Sequence, residues 1–217
     1  APGDLGFLFP GQGSQYLNMG ADLSMQWESA LDAWDLAASN DFGAELPLAD
    51  VVFPKPAFTD EEKASQSDTL RSTQWAQPSI GVTSLAQLNL LDQVGLKPSA
   101  VAGHSYGELV ALHAAGTIDA EAMIKISRRR GELMAEAASV PGAMTAVVSG
   151  GDEVQALLNE SNTNVVVANF NSHRQTVISG TVDGIDAVEK LLSEKKMRFK
   201  RLPVATAFHS EVVSGSC

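Results

Sequence analysis

Residues 101–110 read VAGHSYGELV: a short apolar run, then a glycine, a serine and a second glycine within five positions, then the start of a helical pattern. The five residues Gly103 to Gly107 match G-x-S-x-G, and the required context is present, with the strand candidate SAVAGHS before Ser105 and helical spacing after it through Ala115. The turn forces Ser105 into a strained backbone conformation and brings neighbouring main chain close, where a β-carbon on either glycine would clash. The free N–H groups and positive dipole end of the helix then face whatever reacts at the serine oxygen. The bland reading makes Ser105 an ordinary small residue between strand and helix; a pentapeptide alone arises often by chance, and the strand–helix context is what argues against it.

Working outward, LGFLFP (5–10) is a second apolar run closed by Pro and Gly, which predicts a buried strand feeding the loop GQGSQ. Helix is expected over 16–38, irregular connection with short helical pieces over 41–71, and helix over 72–94 with Pro78 in its first turns or marking a second start. A further helix is expected from Asp119, as N-cap, to about Ala138. The texture changes at VPGAMTAVVSG. Strand 143–149, helix 152–160, strand 164–169, strand 175–180, helix 182–195 and strand 197–203 give the order βαββαβ, a ferredoxin-like unit able to bury a core of its own. The chain leaves it through LPVATAFHS, read as a strand returning to the first domain. The predicted division is 1–140 with 203–217 as the large subdomain and 141–202 as the small one.

The composition, 44% hydrophobic and 19% charged over 217 residues, fits one large domain or a main domain with a smaller insert. No apolar run reaches the ~18 residues of a membrane span, and APGDLGFLFPGQGSQ lacks the basic start of a signal peptide, so the expected location is cytoplasmic. The single cysteine, Cys217, permits neither an intrachain disulfide nor a thiol-based metal site. A net charge of −11 argues against nucleic acid as partner. Two basic stretches stand against that background, SRRRGE around Arg128 to Arg130 and EKKMRFKR from 194 to 201. The second is read either as a solvated face balanced by nearby acids or as a docking edge for an anionic partner.

A serine hydroxyl needs a base within hydrogen-bond reach. Of the four histidines, His104 adjoins Ser105 and points to the opposite face, His113 lies two turns along the following helix and reads as packing, and His173 sits in an exposed loop. His209, at the end of ATAFHS, is the candidate base. The glycine-rich FPGQGSQ (9–15) lacks the Gly-Lys-Ser/Thr of a phosphate loop and the third glycine of a dinucleotide fingerprint. It can instead offer backbone N–H groups to an oxyanion, with Gln12 and Tyr106 as the two donors. Arg130 falls on a helical stripe marked by Ile126, Leu133 and Met134. A buried guanidinium takes a planar anion such as a substrate carboxylate, or a structural partner such as Glu108.

FPGQGSQ, QPSI, GHSYGE, RRRGELM, GAMTAV, NFNS and AFHS, in that order along nearly the whole chain, together resemble the malonyl-CoA:acyl carrier protein transacylase family, including the acyltransferase domains of polyketide and polyunsaturated fatty-acid synthases. The resemblance implies an α/β fold with an α/β-hydrolase-like large subdomain and an inserted ferredoxin-like small one. It makes Ser105 the acylated nucleophile, His209 its general base, Gln12 and Tyr106 the oxyanion hole, and Arg130 the ligand of a malonyl carboxylate. Phe208, before the histidine, goes in this family with malonyl rather than methylmalonyl donors. The implied enzyme moves a malonyl group from malonyl-CoA to the phosphopantetheine thiol of an acyl carrier protein. It binds no cofactor, the CoA thioester being substrate, and no metal.

Family members continue well past the histidine, which implies a truncated chain, a missing C-terminal segment or neighbouring synthase domains supplied as partners. The absence of an initiator methionine favours a domain cut from a synthase. Two other classes share these features. A serine thioesterase or hydrolase would use the same elbow and histidine without needing Arg130, and a non-catalytic carrier-docking domain would keep the fold and the basic edge alone.

Overall fold

The structure is a computed structural model and describes residues 3–40, 46–137, 141–202, 204, 206–211 and 213. Cys217 lies outside the described residues. The chain forms two compact units, residues 1–132 and 133–217.

In the first unit, β1 (Gly6–Phe9) and β2 (Ala100–Gly103) pair in parallel, Gly6 opposite Ala100 and Phe9 opposite Gly103. Parallel neighbours so far apart in sequence need a long crossover. It is supplied by α1 (Ala21–Gln26), α2 (Glu28–Ala38), α3 (Leu48–Val52), α4 (Asp60–Arg71) and α5 (Thr73–Gln93). α6 (Gly107–Ala114) follows β2 directly, and α7 (Ala120–Ala137) begins after Asp119. Asp119 is the N-cap the sequence predicts: its Oδ1 accepts from Ala122 N–H at 2.7 Å. Phe9, Trp34, Val52, Ile80, Tyr106, Val110 and Met123 are buried in one core.

Three expectations need correction here. The single helix over 16–38 is two, separated at Trp27, whose extended backbone (φ −129°, ψ 118°) ends α1 and opens α2. The start is delayed to Ala21 because Asn18 and Gly20 adopt left-handed conformations. Within 41–71, α4 is a full twelve-residue helix rather than a short piece. Thr59 Oγ1 accepts from Glu62 N–H while Glu62 accepts from Thr59 N–H, a reciprocal cap that fixes its start.

α5 runs as one helix with Pro78 inside it. The proline has no N–H for the carbonyl of Gln74 four residues earlier, a loss that ordinarily breaks a helix. Arg128 of α7 compensates, donating to Gln74 O at 3.1 Å while its guanidinium lies 4.4 Å over the ring of Trp75.

The second unit holds β3 (Ala143–Val147), α8 (Gly151–Ser161), β4 (Val166–Ser172), β5 (Gln175–Gly180), α9 (Val182–Glu194) and β6 (Phe199–Arg201). The sheet order β4-β5-β3-β6, with every pair antiparallel, is the ferredoxin-like topology read from the sequence. Each helix presents one apolar stripe to the sheet: Val154, Leu157 and Leu158 from α8, and Ile185, Val188 and Leu192 from α9. β6 is shorter than the expected 197–203. No strand forms among the described residues of ATAFHS, where the return strand was expected; the chain turns at 208–210 instead.

The molecule thus has an α/β fold in which a strand–turn–helix of α/β-hydrolase type is joined to a ferredoxin-like unit.

Candidate active site

β2 ends at Gly103 and α6 begins at Gly107, leaving three residues to reverse the chain. The middle one, Ser105, takes φ 52°, in the left-handed region that L residues occupy only at a cost of about 1–3 kcal/mol. A β-carbon on Gly103 would overlap the main chain of Gly107 and Glu108, and one on Gly107 would overlap the carbonyl of Phe9 at the end of β1. Both glycines are therefore dictated by close packing of strand, turn and helix. His104 N–H extends the ladder by donating to Phe9 O at 2.9 Å. Gly107 and Glu108 N–H donate to His104 O and Ser105 O, and Tyr106 stands as N-cap. Ser105 is held at the apex of a strained turn against a helix N-terminus, as its motif predicts.

The glycine loop after β1 is pressed against this turn. A β-carbon on Gly11 would overlap His104 O. Gly11 O accepts from both the N–H and the hydroxyl of Ser14, and Gly13 N–H donates to Gln15 Oε1 at 2.7 Å. Gln12 sits inside that pinned loop. Its Oε1 accepts from Thr73 Oγ1 at 2.9 Å, which ties the loop to the first residue of α5.

Thr73 is the middle of a longer chain of hydrogen bonds. Arg130 donates through one guanidinium nitrogen to Gln77 Oε1 at 2.7 Å, Gln77 Nε2 donates to Thr73 Oγ1 at 2.7 Å, and Thr73 donates to Gln12. Gln77 is fully buried, so its amide needs both partners. Gly131, next to Arg130, allows α7 to cross the start of α5: a β-carbon there would lie 2.5 Å from Thr73 O. A mid-helix glycine costs roughly 0.5–1 kcal/mol, and this crossing is what it permits.

The stripe of α7 differs from its sequence reading. Ile126 is exposed, and the buried positions include Met123, Ile124, Ser127 and Met134. Arg130 still borders the stripe, three residues after Ser127, because the helical period drifts relative to the spacing that selected Ile126. Gln77, which the sequence reading held only within QPSI and gave no role, accepts a hydrogen bond from its guanidinium. Arg128 and Arg129 both pair with Glu132, at 2.7 and 3.3 Å, whereas Arg130 reaches Gln77.

Tyr106 carries its side chain away from the turn into the core, where its hydroxyl lies 2.7 Å from Ser127 Oγ, which donates in turn to Met123 O. Burial pushes the phenol pKa well above its ordinary value; the Ser127 hydrogen bond and the charge of Arg130 act weakly in the other direction. The side chain is an anchor for the turn, while its backbone N–H stands at the N-terminus of α6.

Phe208 and His209 belong to the second unit. Phe208 is half-buried, and His209 is exposed with φ 58°, a left-handed residue like Ser105. Ser210 Oγ donates to Ala207 O at 2.6 Å, closing the turn that carries the histidine. The structure therefore brings Gln12, Ser105, Tyr106 and Arg130 together in one unit and places Phe208 and His209 in the other. His113 Nδ1–H donates to Ile118 O, 3.0 Å away, as a packing residue, and His173 is exposed in a turn. In the basic stretch 194–201, Lys195 pairs with Glu160 and Arg201 with Asp186, both at 2.7 Å. No described helix is long and apolar enough to cross a membrane.

Sequence reading missed Thr73 and Gln77. The available signal was polar residues at four-residue spacing in TQWAQPSIG, a stretch otherwise suited to burial.

Residues 6–215 match the family model described as the acyl transferase domain. The chain is 36% identical over 217 residues to the malonyl CoA-acyl carrier protein transacylase of Bacillus subtilis, covering 96% of this chain and 64% of that protein. It is 34% identical over 214 residues to the mycoketide-CoA synthase of Mycobacterium tuberculosis, covering 98% of this chain and 5% of that one. The solved malonyl CoA-acyl carrier protein transacylase of Coxiella burnetii superposes with a TM-score of 0.86 at 32% identity, over 99% of this chain and 66% of that one. The chain thus spans less than two thirds of each of these relatives.

Proposed function

The chain belongs to the acyl transferase domain family, and from that membership we propose that it transfers a malonyl group from malonyl-CoA, through an ester on Ser105, to the phosphopantetheine thiol of an acyl carrier protein. The observation that carries this reading is Ser105 itself, held at φ 52° on a turn closed on both sides by glycines that tolerate no β-carbon.

His209 takes the Ser105 Oγ proton as Oγ bonds to the thioester carbon. The carbonyl π electrons move to oxygen, and the N–H groups of Gln12 and Tyr106 hold that oxyanion. As the carbonyl re-forms the C–S bond breaks, and CoA leaves as a thiol with the proton from the imidazolium. The carrier thiol then loses its proton to His209, attacks the Ser105 ester, and releases the hydroxyl on collapse. Arg130 holds the malonyl carboxylate with its planar fork. The ring of Phe208 beside the α-carbon excludes a methyl branch, a discrimination worth about 1–3 kcal/mol.

In this reading residues 141–202 are the inserted small subdomain and 1–140 with 203–217 the large one. The reaction is cytoplasmic and needs no bound cofactor or metal. The two names of relatives that contain "malonyl CoA-acyl carrier protein transacylase" support the donor and acceptor classes. The test is transfer of labelled malonyl from CoA to a carrier protein. Label should reach the carrier with the native chain and not with Ser105→Ala; carrier labelling that survives Ser105→Ala overturns the assignment.

A further inference from the structure

Arg130, Gln77, Thr73 and Gln12 form a hydrogen-bond chain in which every donor points the same way, from the guanidinium toward the glycine loop. The geometry leaves little freedom. Gln77 is fully buried and Thr73 nearly so, and the backbone of α7 at Gly131 is packed against Thr73 O. A cation at one end polarises each link and strengthens the next. Such a chain joins the residue that would bind a carboxylate to the loop that would bind an oxyanion.

We propose that Gln77 and Thr73 are positioning residues that couple Arg130 to the Gln12 loop, so that capture of a carboxylate on the acyl group improves the placement of the oxyanion donor. The inference rests on the function proposed above and adds to it. An acyl group with a carboxylate fixes Arg130, and the chain transmits that constraint to Gln12. Binding energy from a part of the substrate remote from the reacting carbonyl is thereby used at the reacting carbonyl. An acyl group without a carboxylate gains nothing from the link.

The test is Ser105 acylation by malonyl-CoA and by acetyl-CoA, with kcat and KM for each, in the native chain, Thr73→Val, Thr73→Ala and Thr73→Ser. Valine keeps the shape of threonine and removes the hydroxyl; alanine removes the same hydroxyl with a smaller side chain, should Thr73→Val fold poorly. Cutting the link should lower kcat for malonyl about tenfold, the loss of one hydrogen bond, while KM stays within about twofold because Arg130 remains in place. The acetyl parameters should move by less than about twofold, and Thr73→Ser should restore the malonyl rate. Equal loss with both donors, or no loss with either, would mean that these residues only support the fold, and would overturn the coupling. A native chain that accepts no malonyl overturns the functional reading with it; a native chain that accepts malonyl while the variants keep the native donor ratio overturns the coupling alone.

Discussion

Arg130 donates a 2.7 Å hydrogen bond to Gln77, a fully buried glutamine one turn into α5, and so enters the site already oriented by an uncharged side chain. A carboxylate in the place of that glutamine would neutralise the guanidinium. The amide of Gln77 brings no charge of its own and fixes the direction of the guanidinium through the hydrogen bond.

Replacing Arg130 with lysine should therefore cost more than the preserved charge suggests. Lysine offers no planar fork and cannot hold Gln77 and a carboxylate in the same geometry. Acylation by malonyl-CoA should fall about 10²-fold in kcat/KM, as for misplacement of a positioned group. Acetyl-CoA should be affected far less, so the ratio of the two donors measured side by side is the readout.

Gly103→Ala should be among the most damaging single changes in the chain, because the new methyl would overlap the main chain of Gly107 and Glu108. A loss above about 3 kcal/mol is expected in chemical denaturation. Gly6→Ala, on the neighbouring strand, meets only Ala100 O at 3.8 Å. It should change stability by less than about 1 kcal/mol, which makes it the control.

The tolerance of the two strands to such changes follows from features the sequence exposes unevenly. Strand, elbow and ferredoxin-like order were legible because short apolar runs, glycines and amphipathic stripes act locally. The Thr59–Glu62 cap was there to be read in the T-D-E-E spacing, yet the prolines and glycines around it masked a twelve-residue helix. Nothing local marks Trp27 as a break, since no proline or glycine sits there. Pro78 persists inside α5 because Arg128, far along the chain on α7, takes the freed carbonyl of Gln74. The candidate nucleophile, base and arginine were visible as motifs. The Thr73–Gln77 link was not, because its meaning depends on which helix crosses above it.

Tyr106→Phe should separate the anchor from the turn. Its hydroxyl bonds Ser127, which keeps Met123 O as acceptor, so removal should cost about 1 kcal/mol at neutral pH. The alkaline limb should also change. The folded phenol resists ionisation while the unfolded one ionises near pH 10. The unfolded state therefore releases its proton first, and native stability is full below that pH and declines as pH rises above it. Denaturation midpoints at neutral and high pH should show a shallower alkaline decline for the phenylalanine variant.

Phe208→Ser should open space beside the acyl α-carbon. The methylmalonyl to malonyl ratio should rise about 10- to 200-fold, the range that one methyl group decides. Competition between the two CoA thioesters, read by mass on the chain, measures it directly. An unchanged ratio would remove Phe208 from the specificity assignment.

The central claim is that Ser105 becomes esterified by malonyl, and the most direct measurement is the intact mass of the chain after brief exposure to malonyl-CoA, followed by proteolysis to locate the adduct. One malonyl equivalent on the peptide containing Ser105, absent from Ser105→Ala, is the expected result. A stable adduct on any other residue, or one that persists in Ser105→Ala, would contradict the claim.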